Sequence, residues 1–278
     1  MNSLAGKVAI ITGVGRPRGI GRGCALRLAQ DGADVVISDI CRKYEGDLAF
    51  YNLGDNWERL QDVVREIEAL GRRALAFKVD VTRRNEIQEM VDGTLQEFGR
   101  IDILVNNAGT GVGVGPFLTI SEQAWDKTFE VNAKGTFMCC QAVLPSMLEQ
   151  QSGKIVNIAS TAGLRGGPSY GAYAASKFAV VGMTNVLAAE FAPFNINVNC
   201  VCPAMVETDL GFEEYEFLSF VRGSTPEEAR QAVVGRIPLG RAADADDIAD
   251  VVAFLVSEQA RYMVGQAIAV TGGMEFSH

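Results

Sequence analysis

Tyr173 and Lys177, in the stretch YAASK, are the two residues of this chain whose types and spacing point most directly to chemistry. On a helix, side chains four positions apart share a face and can meet. An ammonium beside a phenol stabilises the phenolate and makes the tyrosine a usable acid or base near neutral pH. Bringing a tyrosine from a pKa of ~10 toward ~7 takes about 4 kcal/mol of differential stabilisation, more than one lysine is expected to supply. A second positive charge is therefore expected nearby. Among the six tyrosines only Tyr173 has a lysine four residues on. Ser160 lies thirteen residues upstream, at the end of an apolar run, and Asn132 sits inside a long helical pattern where an amide is a mediocre choice.

Composition removes most other chemistries. The only histidine is His278, which excludes Ser-His-Asp and Cys-His catalysis and any zinc site built on two histidines. Cys24, Cys41, Cys139, Cys140, Cys200 and Cys202 form no CxxC pair and no metal-ligand spacing. They read as small buried hydrophobes of a reducing cytoplasm, and no metal is expected. The net charge of −9 argues against nucleic acid or an anionic membrane as partner. No apolar run reaches the ~18 residues of a membrane span. The start, MNSLAGKVAIITG, enters a strand without the layout of a signal peptide. With 48% hydrophobic and 21% charged residues among 278, the chain matches a globular enzyme with a sizeable core.

The elements that must position these residues alternate. KVAIITG, DVVISD, ALAFKVDV, IDILVNNAG, GKIVNIAS, NINVNCVCP and QAIAVTGG read as strands, with amphipathic helices between them. One long helix is expected through AWDKTFEVNAKGTFMCCQAVLPSML, interrupted or kinked near Pro145. Apolar strands alternating with helices describe a doubly wound, Rossmann-type α/β fold: a parallel sheet with helices on both faces. No repeat or linker divides residues 1–278, so a single domain is expected. Its dinucleotide-binding part covers about 1–160 and its catalytic and lid part about 160–278. Ligands on such sheets bind beyond the carboxyl ends of the strands.

The first strand runs into TGVGRPRGIGRG, with glycines at 13, 15, 19 and 21 before a helix. Glycines let backbone amides approach a pyrophosphate, and the helix N-terminus adds partial positive charge. Asp39 ends the second strand, placed to accept hydrogen bonds from an adenine-ribose diol and to repel a 2′-phosphate. Arg16, Arg18, Arg42 and Lys43 lie near it in sequence and would welcome that phosphate. The carboxylate at the strand tip favours NAD over NADP. Asp80 and Val81, then Asn106 to Gly109, then Ser160 place small or polar groups at three further strand ends.

The glycine turn, Asp80, NNAG, Asn132, Ser160, YAASK and CPAMVET (Cys202 to Thr208) stand in the order and spacing of the classical short-chain dehydrogenase/reductase family, which the chain resembles over nearly its whole length. The resemblance implies that Tyr173 is the general acid in ketone reduction and the base in alcohol oxidation. It implies that Lys177 binds the nicotinamide ribose and lowers the Tyr173 pKa. Ser160 hydrogen-bonds the substrate oxygen, and Asn132 holds a water linking Lys177 to solvent. The oxidised nicotinamide ring is the second positive charge. Cofactor contacts are implied at Gly13, Arg18, Gly19, Ile20, Gly21, Asp39, Asp80, Val81, Asn107, Ala108, Gly109, Tyr173, Lys177, Pro203, Val206 and Thr208. Ala204 stands where the family usually has glycine.

Two departures stand out. Thr12 to Gly21 carries two residues more than the family's T-G-x-x-x-G-x-G turn, including Pro17, which leaves Arg16 and Arg18 as phosphate contacts or solvated side chains. Residues 41–57 resemble the insertion of carveol-dehydrogenase-like members, with Phe50, Tyr51 or Trp57 expected over the adenine end of a tightly held NAD, or else an ordinary surface excursion. The segment from Asp209 to Ile237 matches the family's variable lid. Phe212, Tyr215, Phe217 and Phe220 point to an apolar substrate with no dedicated cationic pocket for a phosphate or carboxylate, or else to an amphipathic helix packed on the body. GQAIAVTGG resembles a closing strand at an oligomer contact, so a homo-oligomer, a homotetramer, is expected. The reading is an NAD-dependent oxidoreductase interconverting a secondary alcohol and a ketone. A 3-oxoacyl-thioester reductase and a non-catalytic dinucleotide sensor are the alternatives.

Overall fold

The computed structural model describes residues 3–42 and 56–274. Its strands are β1 (Val8–Thr12), β2 (Asp34–Asp39), β3 (Ala74–Lys78), β4 (Ile103–Asn106), β5 (Gly153–Ile158), β6 (Ile196–Pro203) and β7 (Ala267–Val270). The helices are α1 (Ile20–Gln30), α2 (Trp57–Ala69), α3 (Arg84–Phe98), α4 (Glu122–Phe129), α5 (Thr136–Gln150), α6 (Gly171–Phe191), α7 (Asp209–Arg222), α8 (Pro226–Val234) and α9 (Ala245–Val256).

All seven strands run parallel in the order β3-β2-β1-β4-β5-β6-β7. Every residue of β1, β2 and β6 is buried, as a strand covered on both faces requires. Alternate residues serve opposite layers. Ala9, Ile11, Val35 and Ile37 pack with Leu28, Ile67 and Val252 of α1, α2 and α9. Val8, Ile10 and Val36 pack with Ile87, Val143 and Ala188 of α3, α5 and α6. The chain steps outward from β1 to β3 and returns to β4 on the other side of β1, which opens a crevice at the carboxyl ends of β1 and β4.

The interruption expected near Pro145 lies elsewhere. α5 runs through Pro145 to Gln150, and the irregularity is a wide π-type turn over Glu130–Gly135 between α4 and α5. Proline removes one N–H donor, which a helix buried through Val143, Leu144 and Met147 tolerates. The π-type turn has a reason of its own at Asn132, whose side chain is committed outside the helix. Its Oδ1 accepts the Thr110 amide at 2.8 Å, and its Nδ2 donates to the Thr110 carbonyl and to Ser176 Oγ, each at 3.0 Å. π-bulges of this kind frequently mark functional sites.

The lid is a helical hairpin. α7 ends at Gly223 in the left-handed region (φ +63°), and α8 starts with a capping box between Thr225 and Glu228 and with Pro226 in its first turn. Met205, Tyr215, Val233 and Ile237 form its own small core. Among the described residues no helix is long and apolar enough to cross a membrane, and no acid, cysteine and histidine group could hold a metal ion. All six cysteines are buried, and Cys24, Cys139, Cys140, Cys200 and Cys202 are free thiols.

Candidate active site

The carboxyl ends of the strands and the lid enclose a cleft of about 720 Å³. Ser160 follows β5 and Tyr173 lies in the first turn of α6, both lining the cleft. Lys177, one turn further along α6, is buried; its Nζ donates to the Ile158 carbonyl at 3.0 Å and lies 5.6 Å from the Tyr173 ring centroid. Burial pushes the Tyr173 phenol up to about 12; Glu214 adds to the rise, and a hydrogen bond with Ser160 opposes it. Burial brings Lys177 down to about 8. At neutral pH the protein alone holds Tyr173 as a proton donor. One lysine does not bring its pKa to neutrality, in line with the ~4 kcal/mol that such a shift takes.

Asn132 does not line the cleft. Its side-chain amide clamps Thr110, the residue after NNAG, and its main-chain carbonyl accepts the Thr136 hydroxyl at 2.8 Å. A Cβ built on Gly109 would lie 3.3 Å from Asn132 Oδ1 and 3.5 Å from Lys177 Nζ, so both groups border that glycine. The fold thus brings Asn132, Ser160, and the Tyr173–Lys177 pair of α6 to one end of the sheet from three separate stretches of chain.

The cofactor end is a cradle shaped by glycine. Gly13 has φ +74°, and a Cβ on it would lie 2.7 Å from Ala108 Cα; one on Gly21 would meet the Gly13 carbonyl at 2.5 Å. Asn107 fastens the turn from the β4 side, donating to the Thr12 and Gly13 carbonyls at 2.9 and 2.8 Å. Thr12 Oγ1 accepts the Asn107 and Ala108 amides, each at 3.1 Å. No side chain caps the N-terminus of α1, whose amides face an anion-attracting position beside the turn. Asp39 accepts the Gly15 amide at 2.7 Å and the Ile40 amide at 2.8 Å, and it lines the cleft. Asn56, buried beside Gly15 and Asp39, has both amide atoms without a partner among the described residues. Glycine cradle, open helix end, strand-tip acid and orphaned amide together fit an adenosine diphosphate moiety.

Gly13, Gly19, Ile20, Asp39, Asp80, Val81, Asn107, Ala108, Gly109, Pro203, Val206 and Thr208 all line this cleft. Gly21 lies behind it, against Gly13 and Asn107. Arg18 departs from the expected place. Its Nε and Nη2 donate to Asp209 at 3.0 and 2.8 Å, and its guanidinium lies 4.3 Å over the Phe212 ring. Arg16 lines the cleft, with Nη1 on Glu213 at 2.8 Å. The two extra residues of the turn therefore present a pair of arginines to α7. A turn read alone cannot reveal this, since the partners lie almost two hundred residues away. Arg42 pairs with Glu86 and Asp80. Trp57 opens α2 with Lys78 Nζ 5.1 Å from its ring centroid, whereas Lys43, Phe50 and Tyr51 lie outside the described residues.

The lid differs from its aromatic reading. Phe217 lines the cleft, but Tyr215 is in the hairpin core, Phe212 stacks on Arg18, and Phe220 is 85% exposed. Leu218, Val221 and Met274 supply apolar lining beside Phe217. Four charged groups complete that side: Glu214, Arg165, Arg222 and Arg236. Three arginines therefore line a side expected to hold no dedicated cationic pocket, and each comes from a different element. Tyr170 donates a short hydrogen bond to Glu214, and its ring centroid is 6.3 Å from that of Tyr173. Burial raises the Glu214 pKa. Nothing in EEYE separates Glu214 from a solvated acid until the lid is folded over the cleft.

A family model described as enoyl-(acyl carrier protein) reductase matches residues 13–275. The chain is 38% identical over 271 residues to a 3-oxoacyl-[acyl-carrier-protein] reductase of Thermotoga maritima, covering 98% of both chains. It is 39% identical over 270 residues to the BbsD subunit of (2S)-[(R)-hydroxy(phenyl)methyl]succinyl-CoA dehydrogenase of Thauera aromatica, covering 97% of both. Among solved structures, carveol dehydrogenase of Mycobacterium avium in complex with NAD superposes with a TM-score of 0.89 at 32% identity, covering 99% of both chains.

Proposed function

The chain belongs to the classical short-chain dehydrogenase/reductase family, and from that premise we propose that it is an NAD-dependent oxidoreductase interconverting a secondary alcohol and a ketone. The observation that carries this reading is the convergence of Ser160, Tyr173 and Lys177 on the same cleft as the glycine cradle and Asp39. NAD, when bound, accepts or supplies the hydride. Gly13, Gly19, Asp39, Asn56 and the α1 N-terminus would hold its adenosine diphosphate part, and Asp80, Val81, Asn107 to Gly109, Lys177, Pro203, Val206 and Thr208 the rest.

Ser160 holds the substrate oxygen within reach of Tyr173, whose phenol gives up a proton as a ketone is reduced and takes one as an alcohol is oxidised. Lys177, which pairs with no carboxylate among the described residues and whose pKa burial brings down, favours the phenolate. Asn132 acts by fixing Thr110 and the loop before it. A 3-oxoacyl-thioester substrate is the second reading, favoured by the likeness to the Thermotoga reductase. The test is nicotinamide absorbance with NAD or NADP and a panel of secondary alcohols and ketones. Turnover with NAD is the expected result, and dinucleotide binding without turnover on any of them sinks the proposal.

Glu214 gives this mechanism a pH signature. Its charge raises the Tyr173 pKa, so Glu214→Gln lowers it while keeping an oxygen to accept the Tyr170 hydrogen bond. Alcohol oxidation needs the phenolate, so its rise with pH moves to lower pH, by about one unit for a close like-charge partner. A kcat/KM profile that stays in place or moves to higher pH contradicts this role.

We also propose a homotetramer, supported by the exposed Phe137, Phe178 and Val186 of α5 and α6. Sedimentation as a monomer at micromolar concentration would refute it.

A further inference from the structure

We infer that the substrate carries an anionic group, carboxylate or phosphate, held at the mouth of the cleft by Arg165, Arg222 and Arg236. The inference rests on the oxidoreductase reading and names the substrate class of that same site. The three arginines come from the loop after β5, the last turn of α7 and the segment after α8, yet all line the cleft that holds Ser160 and Tyr173. Their guanidiniums make no hydrogen bond or ion pair with any described residue. Arg16, Arg18, Arg72, Arg100, Arg230 and Arg241, by contrast, are each paired with a carboxylate. In a chain of net charge −9, acids to pair with are plentiful.

A cation suits the C-terminal dipole of α7, which explains Arg222 but neither of the others. Arg222 is also close enough to favour ionisation of Tyr170, whose ring neighbours Tyr173. The one carboxylate on this side among the described residues, Glu214, is engaged by the Tyr170 hydroxyl. Phe217, Leu218 and Val221 line the same cleft. The complementary ligand therefore has a carbinol or carbonyl carbon, an apolar stem and an anionic end. Arginine rather than lysine suits that end, since its planar fork matches carboxylate and phosphate oxygens. The overall negative field of the protein repels an anion, so a local cationic rim is what admits one.

Two sources supply such an anion, the free carboxylate of an oxo acid and the phosphates of a coenzyme thioester. They separate in one experiment: reduction of ethyl acetoacetate, acetoacetate and acetoacetyl-CoA by the full chain, with NADH and with NADPH. The inference predicts a kcat/KM for at least one anionic ketone at least about tenfold above the neutral ester, falling with added salt. A preference for the thioester alone assigns the site to phosphate; a preference that includes acetoacetate assigns it to carboxylate. In R165A/R222A/R236A the anionic-to-neutral ratio drops about tenfold through KM, as a few-fold for each exposed charge pair implies. Arg222→Lys, which keeps the charge, retains part of it. Thermal melting checks that the triple variant is folded; if it is not, the three single variants carry the same test.

A neutral ester used as well as either anion overturns the inference and leaves the oxidoreductase standing. So does an arginine variant that slows all three ketones alike or raises only the KM of the nicotinamide cofactor. No reduction of any of them, with dinucleotide bound, brings down the oxidoreductase reading and this inference together.

Discussion

Tyr173→Phe is expected to lower kcat/KM for alcohol oxidation about a thousandfold, which corresponds to ~4 kcal/mol of transition-state stabilisation. The substitution removes one oxygen and keeps the ring, so the packing beside Tyr170 and over Lys177 is preserved. What disappears is the hydroxyl proposed to exchange a proton with an oxygen held by Ser160. Ser160 and the bound geometry remain, which leaves a small residual rate. Dinucleotide affinity, read by fluorescence titration, should stay within about threefold, because the glycine cradle and Asp39 carry most of it. A variant that keeps a tenth of wild-type turnover would mean that the proton moves by another route.

The second large effect concerns the choice of cofactor. Wild-type enzyme is expected to prefer NAD over NADP by about a hundredfold in kcat/KM. A 2′-phosphate beside the Asp39 carboxylate meets like charge, worth ~4 kcal/mol per charge at 4 Å and an effective dielectric constant of 20 before solvent screening. Among the described residues, the arginines that would offset it are otherwise engaged: Arg42 with Glu86 and Asp80, Arg18 with Asp209, Arg16 with Glu213. Asp39→Asn keeps an oxygen for one of the Gly15 and Ile40 amides and removes the charge. The preference should then shrink at least about tenfold, mainly through the KM for NADP. Equal use of both cofactors by the wild type, or a variant that weakens both alike, would show that Asp39 shapes the turn without reading the ribose.

The parts of this site that were legible beforehand are those whose chemistry is local. A glycine turn between a strand and a helix, an acid at a strand tip and a tyrosine four residues before a lysine each carry their geometry in a few neighbouring positions. All seven strands were readable for the same reason, an apolar run between turn residues, although only the inner ones such as β1, β2 and β6 are buried throughout. Arg18 was misplaced because its partner Asp209 lies across the fold. The interruption of the long helix was put at Pro145, the residue with a known local effect. The cause sits at Asn132, whose side chain answers to Thr110 in another loop. Glu214 and the three rim arginines were hidden for a related reason: an exposed charge and a substrate-facing charge look alike until the lid closes over the cleft. The proposed substrate contacts live in those long-range juxtapositions, the proposed reaction in the short motifs.

The most direct test of the central claim uses a secondary alcohol deuterated at its carbinol carbon, incubated with the enzyme and NAD. The account predicts ketone formation with the deuterium recovered on the nicotinamide ring of the reduced cofactor, one label for each ketone formed. Ketone formed with the label lost to water would show that no direct hydride transfer occurs in this cleft.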